Sequence, residues 1–206
     1  DLHSFPTRRS SDLVLTVGDN DFIDGDGQHV FWDINRNNVY KKSDAVYRTF
    51  GEFLKSERKD IDFNSEQFGK YSTLFSGNYI PNGYLFRRDI LSKIGPFTPE
   101  APLEDWWFMM QISKYGKIKY IDRTLFRYRW HGANTIKNND KMRVLASKTQ
   151  SYEIRLLKHI NLTDVLPDVS KFVQHQHRRE FVHKFFSRPL VDFQIFLLSS
   201  SIIVYL

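Results

Sequence analysis

The stretch that decides the fold lies at residues 103–116, which read Leu-Glu-Asp-Trp-Trp-Phe-Met-Met-Gln-Ile-Ser-Lys-Tyr-Gly. Two acids open it and a glycine closes it, which predicts a helix from Glu104 to Tyr115, because carboxylates favour the positive end of the helix dipole and glycine favours helix ends. This helix is apolar nearly all round, so we expect it to be buried. Alternating segments at Lys117–Ile121 and Leu125–Trp130 follow it and predict two strands.

Upstream, the pattern predicts a hairpin. Val14–Val17 and His29–Trp32 are rich in strand-forming residues, and between them lies the turn sequence Asp24-Gly25-Asp26-Gly27. Helical spacing begins at Ser43, where Ser43 and Asp44 can act as caps. The apolar residues of this predicted helix are Val46, Phe50, Phe53 and Leu54.

The rest of the chain divides into a middle part with short predicted elements and a C-terminal part with helical spacing. Tyr84–Phe86 reads as a short strand, and Asp89–Ile94 reads as a short helix. From residue 137 the spacing is helical, and a second helix is expected after Pro167. We therefore expect one domain over residues 14–136 and a helical C-terminal extension over residues 137–206.

Composition bounds the function without choosing it. The 206 residues are 41% hydrophobic and 16% aromatic, which is enough to build a core and argues against disorder. There are no cysteines, which excludes disulfides, Cys-ligated zinc, iron–sulfur clusters and a thiol nucleophile. The net charge of +6 suits an anionic ligand, an anionic membrane surface or a nucleic acid.

Residues 1–13 resemble the conceptual translation of a short-read sequencing adapter rather than protein. They lack the apolar region of a secretory signal, and the resemblance holds codon by codon from Asp1 to Leu13. The alternative is a polar N-terminal arm carrying Arg8 and Arg9. We therefore leave this segment out of the fold, and we expect the natural chain to extend upstream of Val14.

A candidate site begins with the acid pair at the start of the predicted helix. Glu104 and Asp105 sit in the positive end of its dipole, which keeps carboxylates ionised, so one can serve as a general base while the other caps or orients. Trp106 and Trp107 could offer a flat wall of the kind that stacks on a sugar ring.

A second part of the candidate site lies at the end of the last predicted strand. His131 follows Arg127 and Arg129 there, an arrangement that suits a position facing a metal or a diphosphate. The structural alternative is that Glu104 and Asp105 only cap a buried helix and that His131 is a surface loop residue.

Four blocks of sequence, taken together, resemble a known family. They are Ser76–Leu91 (Ser-Gly-Asn-Tyr-Ile-Pro-Asn-Gly-Tyr-Leu-Phe-Arg-Arg-Asp-Ile-Leu), Ile94-Gly95-Pro96-Phe97, Glu104-Asp105-Trp106, and Tyr128–Thr135 (Tyr-Arg-Trp-His-Gly-Ala-Asn-Thr). Their order and spacing resemble the C-terminal half of family 2 glycosyltransferases, which are inverting enzymes with the GT-A fold. The resemblance covers about residues 14–136 and implies an α/β fold, Rossmann-like, of which this chain holds the acceptor half.

The resemblance also implies roles for individual residues. Asp105 would be the general base that deprotonates the acceptor hydroxyl, and His131, with Arg129, would lie near the metal or diphosphate. The acceptor side would be formed by Glu104, Trp106, Trp107 and Asn78. The family implies a nucleotide-sugar donor, a glycan or lipid-linked acceptor, and a divalent cation, Mn²⁺ or Mg²⁺.

The metal motif and nucleotide-binding strands of this family are expected upstream of Val14. Asp19-Asn20-Asp21 has the letters of the family's Asp-x-Asp motif but stands just before the Asp24-Gly25 turn, so we interpret both acids as hairpin residues. The cluster does not match an EF-hand either. We therefore expect the parent enzyme to be active, in bacterial cell-envelope polysaccharide synthesis, and the present chain alone to be inactive.

Two other functions compete with this one. The charge of +6 and the interleaved aromatic residues are compatible with nucleic-acid binding, although no recognition motif is present. A non-catalytic remnant that binds sugars or partners is the other alternative. His175, His177, His183, Arg178 and Arg179 could form a metal or phosphate patch, but we favour a solvated helix face.

The C-terminal region bears on localisation. Ten basic and six acidic residues follow residue 137, and a mostly apolar run extends from Phe193 to Leu206, which is shorter than the ~20 residues that a membrane span needs. Peripheral membrane contact and ordinary packing of a helical extension both remain open. We expect a cytoplasmic protein, with the inner face of the membrane as a further possibility.

Overall fold

The computed structural model describes residues 12–35, 37–131 and 139–186. Within those ranges the chain forms five strands and five α-helices, an α/β arrangement as the sequence predicted. The strands are β1 (Leu13–Ile23), β2 (His29–Trp32), β3 (Asn38–Val39), β4 (Tyr84–Phe86) and β5 (Lys117–Arg129), and the helices are α1 (Phe50–Glu57), α2 (Tyr71–Phe75), α3 (Glu104–Ser113), α4 (Asn139–Leu157) and α5 (Pro167–Phe186).

The sheet is mixed and is organised around β1. β5 runs parallel to β1 from the pair Leu13–Lys117 to the pair Ile23–Arg129. β4 pairs antiparallel with the first half of β1 and β2 with its last residues, so both share the edge opposite β5. β3 extends the sheet beyond β2.

The predicted hairpin is present, and its first strand is longer than expected. The carboxylate of Asp24 accepts hydrogen bonds from the backbone N–H of Asp26 (3.0 Å) and of Gln28 (2.8 Å), which closes the turn. Gly27 has a φ of 86°, a value that glycine adopts without strain. Leu13, the last residue of the segment compared with an adapter, belongs to β1, whereas residues 1–11 lie outside the described residues.

The two strands predicted at Lys117–Ile121 and Leu125–Trp130 are one strand, β5. Its pairing with β1 slips where Gly18 faces Ile121 but the next residue, Asp19, faces Thr124. The polar residues at this slip interrupt the alternation, which is why the sequence pattern predicted a break.

The helix predicted from Ser43 begins later, at Phe50. The Thr49 hydroxyl caps it by accepting from the backbone N–H of Glu52 at 3.1 Å. The start is set by a contact from the sheet: the buried Asp19 carboxylate accepts from the backbone N–H of Gly51 (2.5 Å) and from the Thr49 hydroxyl (2.6 Å). No local pattern encodes that contact, so the prediction placed the helix seven residues too early.

α3 confirms the prediction from its sequence. It begins at Glu104, and every residue from Trp106 to Ser113 is buried. Tyr120, inside β5, and Trp130, which follows the strand, are also buried. Phe108 of α3 packs against Tyr84 and Phe86 of β4, so part of the core lies between α3 and the sheet and holds the helix that begins with the acid pair.

The chain divides into two compact units, Asp1–Leu166 and Pro167–Leu206. α4 belongs to the first unit, so the structural division falls thirty residues after the boundary predicted between 136 and 137. α4 is joined to the core by hydrogen bonds, such as that from the backbone N–H of Leu103 to the Thr149 hydroxyl (3.1 Å) and that from Gln150 Nε2 to the carbonyl of Phe75 (3.1 Å).

A buried polar network ties α2, α3 and α4 together. Glu153 of α4 is fully buried and accepts from the Tyr71 hydroxyl (2.5 Å) and from Gln111 Nε2 (2.6 Å). Lys114, which follows α3, lies 2.7 Å from the same carboxylate and donates to Gln111 Oε1 at 2.8 Å. Every polar end in this network is thus paired, as burial of charge requires.

The second unit contains α5. His175, His177, Arg178 and Arg179 are exposed on it, which agrees with a solvated helix face, while the side chain of His183 lies outside the described residues. Among the described helices, none combines the length and apolar character that crossing a membrane requires. The apolar run at 193–206 is not among the described residues.

Candidate functional site

A cleft of about 530 Å³ opens at the N-terminal end of α3. Four separate stretches of the chain supply its walls, namely α1, the loop after α2, the loop into α3, and the end of β5 with the start of α4. Its lining residues are Phe50, Leu54, Asn78, Ile80, Asn82, Pro102, Leu103, Glu104, Asp105, Tyr128, His131, Lys141, Met142 and Leu145. Four of the residues predicted from sequence, Asn78, Glu104, Asp105 and His131, are brought together here.

Asp105 occupies the second position of α3 and is half-buried. One carboxylate oxygen, Oδ1, accepts from the backbone N–H of Trp106 at 2.7 Å. The other, Oδ2, accepts from the side-chain amide of Asn78 at 3.3 Å. The helix therefore anchors one oxygen, and the other lies in the cleft beside an amide donor.

The environment raises the pKa of Asp105 above its ordinary value of 3.8. Burial is the main cause, since it disfavours the charged carboxylate, and the negative charge of Glu104 adds to it, while the Trp106 N–H opposes it. The sequence predicted the favourable effect of the helix N-terminus on this acid, and burial acts on its pKa in the opposite direction. A carboxylate with a raised pKa is a stronger base, which suits proton abstraction near neutral pH.

Glu104 and His131 are both exposed and face the same cleft. Glu104 is the first residue of α3, and His131 follows β5 by two residues. The end of β5 and the first turn of α3 line the same cleft, through Tyr128 and His131 on one side and the acid pair on the other. The predicted neighbourhood of the acid pair and the histidine is therefore present.

Arg129 does not line the cleft. Its guanidinium donates to the backbone carbonyls of Asp24 (2.9 Å) and Gly25 (2.7 Å), in the turn of the hairpin. The sequence placed Arg129 beside His131 because the two are close in the chain. Arg129 directly follows Tyr128, which lines the cleft, and successive residues of a strand point to opposite faces, whereas His131 lies beyond the end of β5. The structure thus gives this arginine a role in holding the turn.

The two tryptophans also lie elsewhere than predicted. Trp106 and Trp107 are 4% and 2% exposed, so neither ring can stack on a sugar in the cleft. The indole N–H of Trp106 donates to the carbonyl of Leu74 at 2.7 Å, and Trp107 packs edge-on against Phe97. The sequence predicted that these two rings form an acceptor-binding wall, and this prediction is wrong because both rings belong to the core.

The aromatic and apolar wall of the cleft comes from residues that the sequence did not assign to the site. Phe50 and Tyr128 stack with a ring separation of 4.9 Å and an interplanar angle of 5°. Lys141, Met142 and Leu145 come from the first turns of α4. Tyr128 stands in one of the family-like blocks and could have been found there, but nothing in the sequence of α4 indicates that it reaches the site.

Asp19 and Asp21 lie in β1, the first strand of the hairpin, as predicted. Asp19 is engaged by the start of α1, and Asp21 lies 4.0 Å from the imidazole of His29. In the described parts of the chain no three or more His, Asp or Glu side chains converge as a group that could hold a metal ion. The divalent cation implied by the family resemblance therefore has no complete set of ligands among these residues.

Comparisons with known proteins give no match. Neither the protein-family models, nor the curated proteins, nor the solved structures contain one that this chain matches.

Proposed function

We propose that this chain is the acceptor-binding part of an inverting glycosyltransferase in which Asp105 is the general base. The observation that carries the proposal is the half-buried Asp105 carboxyl, with its raised pKa, at the wall of a cleft large enough for a sugar acceptor. Glu104 and His131 stand around the same cleft, which adds hydrogen-bonding groups for hydroxyls.

The proposed step is a single displacement. The Asp105 carboxylate takes the proton of an acceptor hydroxyl while the hydroxyl oxygen forms a bond to the anomeric carbon of the donor sugar. The bond from that carbon to the diphosphate breaks, and the nucleoside diphosphate leaves with the electron pair. Attack from the face opposite to the leaving group inverts the anomeric configuration.

The partners follow from the family resemblance and belong to the proposal. They are a nucleotide-diphospho-sugar donor, held by a donor half upstream of Val14, and a glycan or lipid-linked acceptor of cell-envelope polysaccharide synthesis in the cytoplasm. A divalent cation held by that donor half would neutralise the diphosphate. No step above depends on the cation.

The test is the rate of sugar transfer by the protein joined to its upstream sequence. We expect Asp105→Asn to reduce nucleoside diphosphate release and glycan formation by about 10²–10⁴-fold, the usual contribution of a general base, with the fold intact. Asp122→Asn is the matched control, because Asp122 forms an exposed ion pair with Lys55 (3.1 Å) and does not line the cleft.

Two outcomes would contradict the proposal. Equal transfer rates for the wild type and Asp105→Asn would remove Asp105 from the role of base. Glycan binding without transfer of sugar from any nucleotide-diphospho-sugar, and unaffected by Asp105→Asn, would favour a non-catalytic sugar-binding protein. Anomeric configuration of the product, read by NMR, checks the inversion.

A further inference from the structure

Both the oxygen and the nitrogen of the Asn78 side-chain amide form hydrogen bonds. Its carbonyl oxygen accepts from the backbone N–H of Ile80 at 3.2 Å, in a local turn of the loop after α2. Its NH₂ group donates to Oδ2 of Asp105 at 3.3 Å. Because the carbonyl end is held by an N–H, the amide presents its donor end, and not its acceptor end, to the carboxylate.

We propose that Asn78 is a positioning residue that holds the Asp105 carboxylate in place for proton abstraction, rather than a residue that binds the acceptor. This inference rests on the proposed function for its meaning, but the contact itself exists whatever the cleft binds. It changes the role that the sequence gave to Asn78.

The geometry explains what such a residue contributes. Oδ1 of Asp105 is held by the Trp106 N–H, so the carboxylate can still tilt about this anchor. The Asn78 amide fixes Oδ2 and takes up one of its lone pairs, which leaves the other for an acceptor hydroxyl. A fixed base loses less entropy at the moment of reaction than a mobile one.

The amide also acts on the charge of Asp105. Hydrogen bonding to a carboxylate favours its charged form, whereas burial and the nearby Glu104 disfavour it. The hydrogen bond from the Asn78 amide to Oδ2 acts in the opposite direction to those two causes. We therefore expect removal of the amide to raise the pKa of Asp105.

The first experiment measures the pKa of the Asp105 carboxyl by NMR titration of the 206-residue chain. It needs no transfer reaction. We expect Asn78→Leu to raise the pKa of Asp105 by about half a unit, a modest value because the bond is long and Asn78 is exposed. Asn78→Asp keeps the oxygen that accepts from Ile80 and replaces the donor by a second carboxyl. Two neighbouring carboxyls disfavour each other's ionisation. The higher of the two apparent pKa values in Asn78→Asp should therefore lie above the pKa of Asp105 in Asn78→Leu.

Asn82→Leu is the matched control. Asn82 lines the same cleft, and among the hydrogen bonds of the described residues none joins it to Asp105. The pKa of Asp105 should stay within about 0.1 unit of the wild-type value in this variant, since no bond to the carboxylate is lost. An equal rise in Asn78→Leu and Asn82→Leu would show a general loss of polarity and would overturn the proposal.

The second experiment uses the transferase joined to its upstream sequence. Asn78→Leu should move the acidic limb of the kcat/KM profile upward in the same direction as the NMR shift, and should lower kcat more than it changes KM for the acceptor. An unchanged Asp105 pKa in both Asn78→Leu and Asn78→Asp overturns the positioning role. A shifted pKa in a protein that transfers no sugar overturns the proposed function alone.

Discussion

Two carboxyl groups at opposite ends of α3 have very different surroundings. Glu153 meets the C-terminal end of the helix, is fully buried, and is paired with Lys114, Gln111 and Tyr71. Asp105 opens the N-terminal end and has one short and one long hydrogen bond beside a cleft. A fully satisfied carboxylate locks helices together, whereas an incompletely satisfied one stays available to a ligand. Hydrogen-bond satisfaction and burial together separate the structural acid from the candidate catalytic one.

The largest effect is expected from breaking the buried end. Glu153→Leu removes the carboxylate and leaves the Lys114 ammonium buried without its counter-charge, which should lower the free energy of unfolding by about 3–5 kcal/mol in urea denaturation. Adding Lys114→Met to this variant removes the uncompensated charge and should restore part of the loss. A cost below about 1 kcal/mol for Glu153→Leu would show that the network does not hold α4.

An intermediate effect is expected from the two tryptophans that follow Asp105. Trp106→Phe and Trp107→Phe remove the same volume, but only Trp106 donates to a backbone carbonyl, that of Leu74. The indole N–H of Trp107 is buried and accepted by no atom in the described structure. Trp106→Phe should therefore cost about 1–2 kcal/mol more in thermal or urea unfolding. If both variants lose the same free energy of unfolding and both bind sugar more weakly, the two tryptophans form an acceptor-binding wall after all.

The smallest effect is expected at the cleft itself. Because the folded state raises the pKa of Asp105 above 3.8, the stability linked to this group is fully present below 3.8 and is lost as pH rises through the folded pKa. Asn cannot titrate, so Asp105→Asn should gain stability relative to the wild type as pH rises from about 3.8 to neutrality. Solvent in the cleft keeps the difference small.

Asp89→Asn is the control of opposite sign for the pH experiment. A hydrogen bond and the charge of Arg87 lower the pKa of Asp89, so its contribution to stability appears as pH rises and is absent from the Asn variant. The two variants should therefore diverge in unfolding curves recorded between about pH 3 and pH 7. Parallel curves for both would mean that Asp105 is no more protected from water than a surface acid.

Local signals explain what the sequence could predict. The acids before an apolar run placed the start of α3 at Glu104, and the Asp-Gly pairs placed the hairpin turn. In the same way, the order of the family-like blocks grouped Asn78, Glu104, Asp105 and His131, which the structure brings to one cleft.

Contacts between distant residues explain what it could not. The start of α1 depends on Asp19 reaching Gly51 across the sheet, and the place of α4 depends on Glu153 meeting Lys114. Trp106 and Trp107 have the composition of a sugar-binding wall, but a helix that is apolar on all sides leaves no ring face for a ligand. Arg129 was misplaced because it follows Tyr128, the strand residue that lines the cleft, and successive strand residues point to opposite faces.

The position of α4 has a practical consequence for producing this protein in pieces. A gene shortened after codon 136 would keep every family-like block, yet it would lose Met142 and Leu145 from the cleft and would leave Lys114 with no acid to pair with. A gene shortened after Leu166 would retain both the cleft wall and the buried ion pair of Glu153 and Lys114. Variants that differ only in the first two turns of α4 would then change the shape of the cleft. The buried ion pair of Glu153 with Lys114 and the carboxyl of Asp105 would be the same in all of them.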